Sequence, residues 1–207
     1  MANVFSKVAA DTLGISDIGR IIAPCDFDKV DGDDYIMHED GEKIFFVIKS
    51  KADEYVFTNY ALLHVDGESA MSKKRQVNRY DYIQYPIHDA TLETAGNVDL
   101  DVELKWHFGD HVYSVDVDKK QLGELKDLYK ALIEISRLQK IREAEYNDQL
   151  KALEWSNDTL ANARLQLDDP TQALMGMTQY NATYLKEARR EKMQRDFSSV
   201  FEKYINN

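Results

Sequence analysis

Apolar and polar residues alternate strictly from Val98 to Leu104, where Val98, Leu100, Val102 and Leu104 are separated by Asp99, Asp101 and Glu103. Successive side chains of a strand point to opposite faces, so this spacing predicts a half-buried strand with three carboxylates in a row on its outer face. The break before it is Ala95-Gly96-Asn97, and Pro86–Thr94 reads as the strand on the other side. Upstream, the apolar run Ile44–Ile48, then Glu54–Thr58, Ala61–Val65 and Gln76–Ile83, predict four more strands, with Asp66-Gly67 as the strongest turn signal. His111–Val117 makes the seventh. Short strands joined by polar turns argue for an antiparallel sandwich or barrel and against alternating strands and helices.

Two helical patterns flank these strands. In residues 2–22, Val4, Phe5, Val8, Ala9 and Leu13 share one helical face, and a second short turn carries Ile18, Ile21 and Ile22 before Pro24 ends it. Ala23–Gly41, acidic around Asp31-Gly32-Asp33-Asp34, reads as an irregular connector without calcium-loop spacing. After Asp118 the apolar period lengthens to three or four. Leu122, Leu125, Leu128, Leu132, Ile135, Leu138 and Ile141 predict one long amphipathic helix from Lys119 to about Leu153. Asp169-Pro170 supplies the N-cap and first position of a second helix over 171–205, with Ser156-Asn157-Asp158 and Gly176 as expected breaks. Two long helices with a short connection form an antiparallel hairpin, which alone leaves much apolar surface wet. Self-association is the simplest cover. Leu128, Leu132, Ile135, Leu138 and Ile141, with Phe197 and Phe201, are the candidate interface residues.

The strand region also carries a resemblance. Glu93-Thr94-Ala95-Gly96 followed by Asp99-Leu100-Asp101-Val102-Glu103-Leu104 resembles the core motif of the bacterial pleckstrin-homology (PH) domains. Val56-Phe57-Thr58-Asn59 followed by Leu62-Leu63-His64-Val65-Asp66 resembles the same family's upstream strand pair, in the right order. A helical tail follows the domain in the YvbH-like members, where it serves as an oligomerisation region, so the resemblance covers nearly the whole chain. It implies an α+β fold: a seven-stranded antiparallel PH-like barrel or sandwich capped by a helix, followed by a long helical hairpin. The expected division is a PH-like domain with its N-terminal helix over 1–131 and an oligomerisation region over 132–207. Tyr60-Ala61 stands where many relatives have Lys-Arg, so no basic ligand role is carried over to that position.

Charge changes the list of partners. Residues 1–117 hold 22 acidic and 11 basic side chains, while the remainder holds 15 of each. An acidic strand half is a poor partner for nucleic acid and, on average, for anionic membranes. Only Lys73, Lys74, Arg75 and Arg79 run the other way; they are the candidate anion site, set against the plainer reading of a solvated loop or guarded edge. The row Asp99, Asp101, Glu103 would face Asp116 and Asp118 if the last two strands pair, and like charges across a ladder need an offset. A network with Lys105 or the basic cluster ranks first, solvation second and a cation third.

Chemistry is otherwise absent from the pattern. His107 and His111 have H-x3-H spacing, but Gly109-Asp110 between them reads as a turn, so they do not share a helical face. Cys25 is the lone cysteine, which fits a reducing compartment. No catalytic residue, metal or cofactor is expected. No stretch is long and apolar enough to span a bilayer, and the expected location is the cytoplasm. The reading is a non-catalytic module whose tail builds a cyclic homo-oligomer, in a scaffold or protein-interaction role with itself and another protein as partners. A second reading is an adaptor that binds anionic lipid headgroups or a phosphorylated partner through the basic cluster.

Overall fold

The seven strands expected from the pattern all form, and an eighth precedes them. In the computed structural model, which describes residues 18–67, 75–94, 101–163 and 168–205, β1 (Arg20–Ile21), β2 (Ile44–Lys49), β3 (Asp53–Thr58), β4 (Ala61–Gly67) and β5 (Arg75–Asp81) make one antiparallel sheet in sequence order. β6 (Ile87–Glu93), β7 (Asp101–Phe108) and β8 (His111–Asp118) make a second. The arrangement is a sandwich and not a closed barrel. Three helices follow: α1 (Leu122–Asn162), α2 (Pro170–Lys192) and α3 (Ser198–Tyr204). The expected N-terminal helix lies outside the described residues up to position 17, as do Ala95-Gly96-Asn97 and Leu100.

Packing divides the chain into two units, one comprising residues up to Ser136 together with Arg195 onward, the other Arg137–Gln194. The segment from Arg195 onward packs with the strands, in the first unit.

In the first unit both faces of the five-stranded sheet are covered. On one, Val47, Val56, Ala61 and Leu63 are buried with Val30 and Ile36 of the connector, which folds into three short 3-10 turns, Pro24–Lys29, Asp31–Tyr35 and His38–Asp40. On the other, Phe57 and Tyr55 meet Trp106 of β7 at ring centroid distances of 5.7 and 6.1 Å, and Ile48, Leu62, Leu104 and Phe108 are buried. α1 adds Leu125, Leu128, Ala131, Leu132 and Ile135, all fully buried at helical spacing.

Two local expectations are corrected. Residues 18–22 are extended: Ile22 N–H donates to Val47 at 3.0 Å, and Gly19 bridges β8 through Gly19 N–H to Asp116 O at 2.7 Å and Asp118 N–H to Gly19 O at 3.1 Å. Pairing with strands of both sheets satisfies this backbone better than a two-turn helix would. A side chain at Gly19 would meet Ile48 Cγ2 at 2.8 Å, so only glycine permits this approach. The second correction concerns the helix expected over 171–205, which breaks at Met193–Phe197 and not at Gly176. Phe197 N–H donates to Asn59 O at 2.9 Å, and Asp196 Oδ1 accepts from Ser198 N–H at 2.8 Å. Docking Phe197 and Phe201 into the strand core therefore outweighs helix continuity. The first helix, by contrast, runs through Ser156-Asn157-Asp158, where the hydroxyl of Ser156 donates to the carbonyl four residues earlier.

Candidate functional site

Arg75 and Arg79, the described members of the basic cluster, meet the acidic connector on one face of the first sheet. Registered partners in an antiparallel sheet share a face, so Glu54, Val56 and Thr58 of β3 stand with Lys49, Leu63, Val65 and Arg79 toward the connector. Arg79 donates to Glu42 at 3.0 Å and to Asp81 at 2.9 Å. Burial lowers its guanidinium pKa, but hydrogen bonds and attraction from these two carboxylates raise it further, so it stays charged. Arg75 lies 3.4 Å from Asp31 and also donates to Ala52 O. Lys73 and Lys74 lie outside the described residues.

Two buried carboxylates tie the connector down. Glu42 accepts from the Thr58 hydroxyl at 2.5 Å, Met37 N–H at 2.9 Å and Arg79. Glu54 accepts from Gly32 N–H at 2.7 Å and Lys49 at 2.7 Å. A side chain at Gly32 would meet Val56 Cγ2 at 2.6 Å, which explains the glycine. None of Glu42, Glu54 or Gly32 stood out as a site residue in the sequence. The signal lay in Thr58-Asn59: Thr58 Oγ1 accepts from the Tyr60 and Ala61 amides, while Asn59 accepts from Lys43 N–H at 2.8 Å and donates to Asp196 at 3.2 Å. The dipeptide is a hub joining turn, connector and C-terminal segment. Tyr60 donates its hydroxyl to Asp40 O and lies under the Arg195 guanidinium at 4.3 Å.

On the second sheet the register sets Asp101 opposite Asp118 and Glu103 opposite Asp116. Lys105 bridges Glu103 and Glu93 at 2.9 Å each, and the Ser114 hydroxyl donates to Glu103. That hydroxyl first and Lys105 second hold the Glu103 carboxyl below its usual range. Asp99 is outside the described residues. Among the described residues, one cluster has metal-ligand spacing: His88, Asp89 and His107, with donor atoms within 4.8 Å of one another.

The candidate interface residues separate into two groups. Leu128, Leu132, Ile135, Phe197 and Phe201 are buried inside the first unit, Phe201 stacked on Phe45 at 5.2 Å. Leu138 is half-buried and Ile141 exposed, both in the second unit.

The second unit is a pair of helices from α1 and α2 held by polar contacts: Lys192 to Glu143 at 2.6 Å and over the Tyr146 ring at 4.6 Å, Gln149 to Glu191, and Asn181 to Asn157 at 3.1 Å. Of its described residues only Ala188 is buried. Trp155, Leu174, Met175 and Tyr180 are 66–70% exposed. A groove between the helices is lined by Leu153, Asn157, Leu160, Met177, Tyr180 and Tyr184, among others.

Comparison with known proteins bears on both units. The model of the bacterial PH domain family matches residues 12–136, and that of the YvbH-like oligomerisation region matches 149–207. The Bacillus subtilis (strain 168) protein YvbH is 50% identical over 204 residues, covering 99% of this chain and 100% of its own. YjqA of the same strain is 34% identical over 94 residues, 45% of this chain and 74% of its own. A crystal structure of a PH domain containing protein from Exiguobacterium sibiricum 255-15 is 47% identical and superimposes with a TM-score of 0.84 over 92% of this chain and 100% of that one. Among the described residues no helix is long and apolar enough to cross a membrane.

Proposed function

This chain belongs to the bacterial PH-domain family and carries a YvbH-like oligomerisation region, and from that premise we propose that it is a non-catalytic scaffold that assembles into a homo-oligomer through its second unit. The observation that carries this reading is the near-absence of a core in Arg137–Gln194: a helical pair with a single buried described residue and four large apolar side chains mostly in water. Helices in water draw most of their stability from packing an apolar face, and large apolar side chains left exposed on such a pair suit an association site. A second copy presents the same surface, and closed symmetry would bury it on every subunit. The first unit, folded on its own core, would then be displayed in several copies. The adaptor reading is less favoured, because Arg75 and Arg79 are already occupied by Asp31, Glu42 and Asp81. Static light scattering on the untagged chain at micromolar concentration tests the proposal. A multiple of 23.9 kDa is expected, and a mass of 23.9 kDa throughout would overturn it.

A further inference from the structure

His88 and His107 lie directly opposite one another across β6 and β7, with ring centroids 4.8 Å apart. The register shifts between His88 and Thr91, and inside that irregularity Asp89 has φ 51, a left-handed conformation that aspartate and asparagine adopt more readily than most residues. Such bulges re-aim a side chain. Here Asp89 Oδ2 comes within 2.8 Å of His88 Nδ1 and 3.8 Å of His107 Nδ1.

The other nitrogen of His88 decides what this geometry requires. Nε2 lies 2.9 Å from the carbonyl oxygen of Gly109. A carbonyl only accepts, so Nε2 carries the hydrogen, and a neutral His88 would then turn its Nδ1 lone pair toward a carboxylate that also only accepts. A positive centre must lie between them, either a second proton on the ring or a metal ion. A proton serves one pair of atoms, whereas His107 places a third donor around the same oxygen. An imidazole whose far N–H is held by a backbone carbonyl is also the outer-shell arrangement that orients a metal ligand.

We propose that His88, Asp89 and His107 form a binding site for a divalent transition-metal ion of the zinc class. Two imidazoles and one carboxylate suit borderline ions and not calcium or magnesium. Bonds of about 2.0–2.2 Å put neighbouring ligand atoms roughly 3.0–3.5 Å apart, which the observed 2.8 and 3.8 Å bracket. Both histidine side chains are about one-third exposed and Asp89 is 74% exposed, so an ion can enter from solvent.

The untagged full chain, stripped with a chelator, is titrated calorimetrically with Zn²⁺ alone. One ion per chain is expected to bind saturably, tenfold or more weaker in Asp89→Asn, lost in His107→Ala and unchanged in His111→Ala. Asparagine tolerates the left-handed backbone, so Asp89→Asn keeps the bulge even where His107→Ala disturbs the fold, and circular dichroism checks that it does. No saturable uptake by the unsubstituted chain, or uptake equal in Asp89→Asn, would overturn the site.

Discussion

The two units of this chain are both rich in apolar residues, yet only one of them encloses a core. The strand unit buries Val47, Phe57, Leu63, Trp106, Leu128 and Phe201 almost completely, and ties its long connector down with Glu42 and Glu54. The helical unit leaves Trp155, Leu174, Met175 and Tyr180 in water, and half-buried Leu150, Leu153 and Leu185 are joined within the chain by ion pairs and amide contacts. Exposed ion pairs contribute about 0–1 kcal/mol each, so they add little to that half-buried apolar contact against the entropy of ordering the pair. On the proposed reading, the contrast separates a module that is finished within one chain from one that a second copy would finish.

Substitutions can break the comparison from either side. The largest effect is expected at Ile135, fully buried in the strand unit: Ile135→Asp places an unpaired charge in the core at a cost of several kcal/mol, and the strand circular dichroism should collapse. Next is Glu42→Ala, which strips Arg79, Thr58 and the Met37 amide of their shared acceptor. Its cost should be about 3 kcal/mol in denaturant melts, with the connector becoming protease-sensitive. Gly32→Ala crowds Val56 and should cost about 1–3 kcal/mol, read in the same melts.

A milder test uses pH. Burial pushes the Asp196 carboxyl up, but the bonds from Ser198 and Asn59 outweigh it and hold the carboxyl below its ordinary value of 3.8. A depressed carboxylate stabilises the fold above that ordinary value, and the contribution is lost as the pH falls through the lower folded-state value. Asp196→Asn should therefore flatten the acid limb of the strand unit's stability curve below pH 3.8. The smallest effect on that unit is expected from Trp155→Glu with Leu174→Glu, which should leave its melting within about 0.5 kcal/mol while the solution mass falls toward 23.9 kDa.

Period carried the fold well: strands from alternation, the long helix from Leu122 through Ile135, and the second helix's start from Asp169-Pro170, whose carboxylate accepts from Gln172 N–H. What it could not carry was partnership at long range. The stripe of Leu128, Leu132 and Ile135 looks the same whether it meets strands or another subunit. Phe197 and Phe201 continue a helical spacing, although Asn59, far away in sequence, breaks that helix. Arg79 read as part of an anion site or of a solvated loop because Glu42, its acceptor, is distant in the chain. His107 was weighed against His111, its neighbour in sequence, and its real neighbour is His88, set by strand register.

The central claim, that the helical pair is completed by another copy, is tested most directly by amide hydrogen exchange across a dilution series. Protection in the helices at 141–160 and 174–188 should fall as dilution reduces the mass to one chain, while β2 to β4 stay protected at every concentration. Helical amides that remain as protected as those of β3 in a species of 23.9 kDa would contradict it.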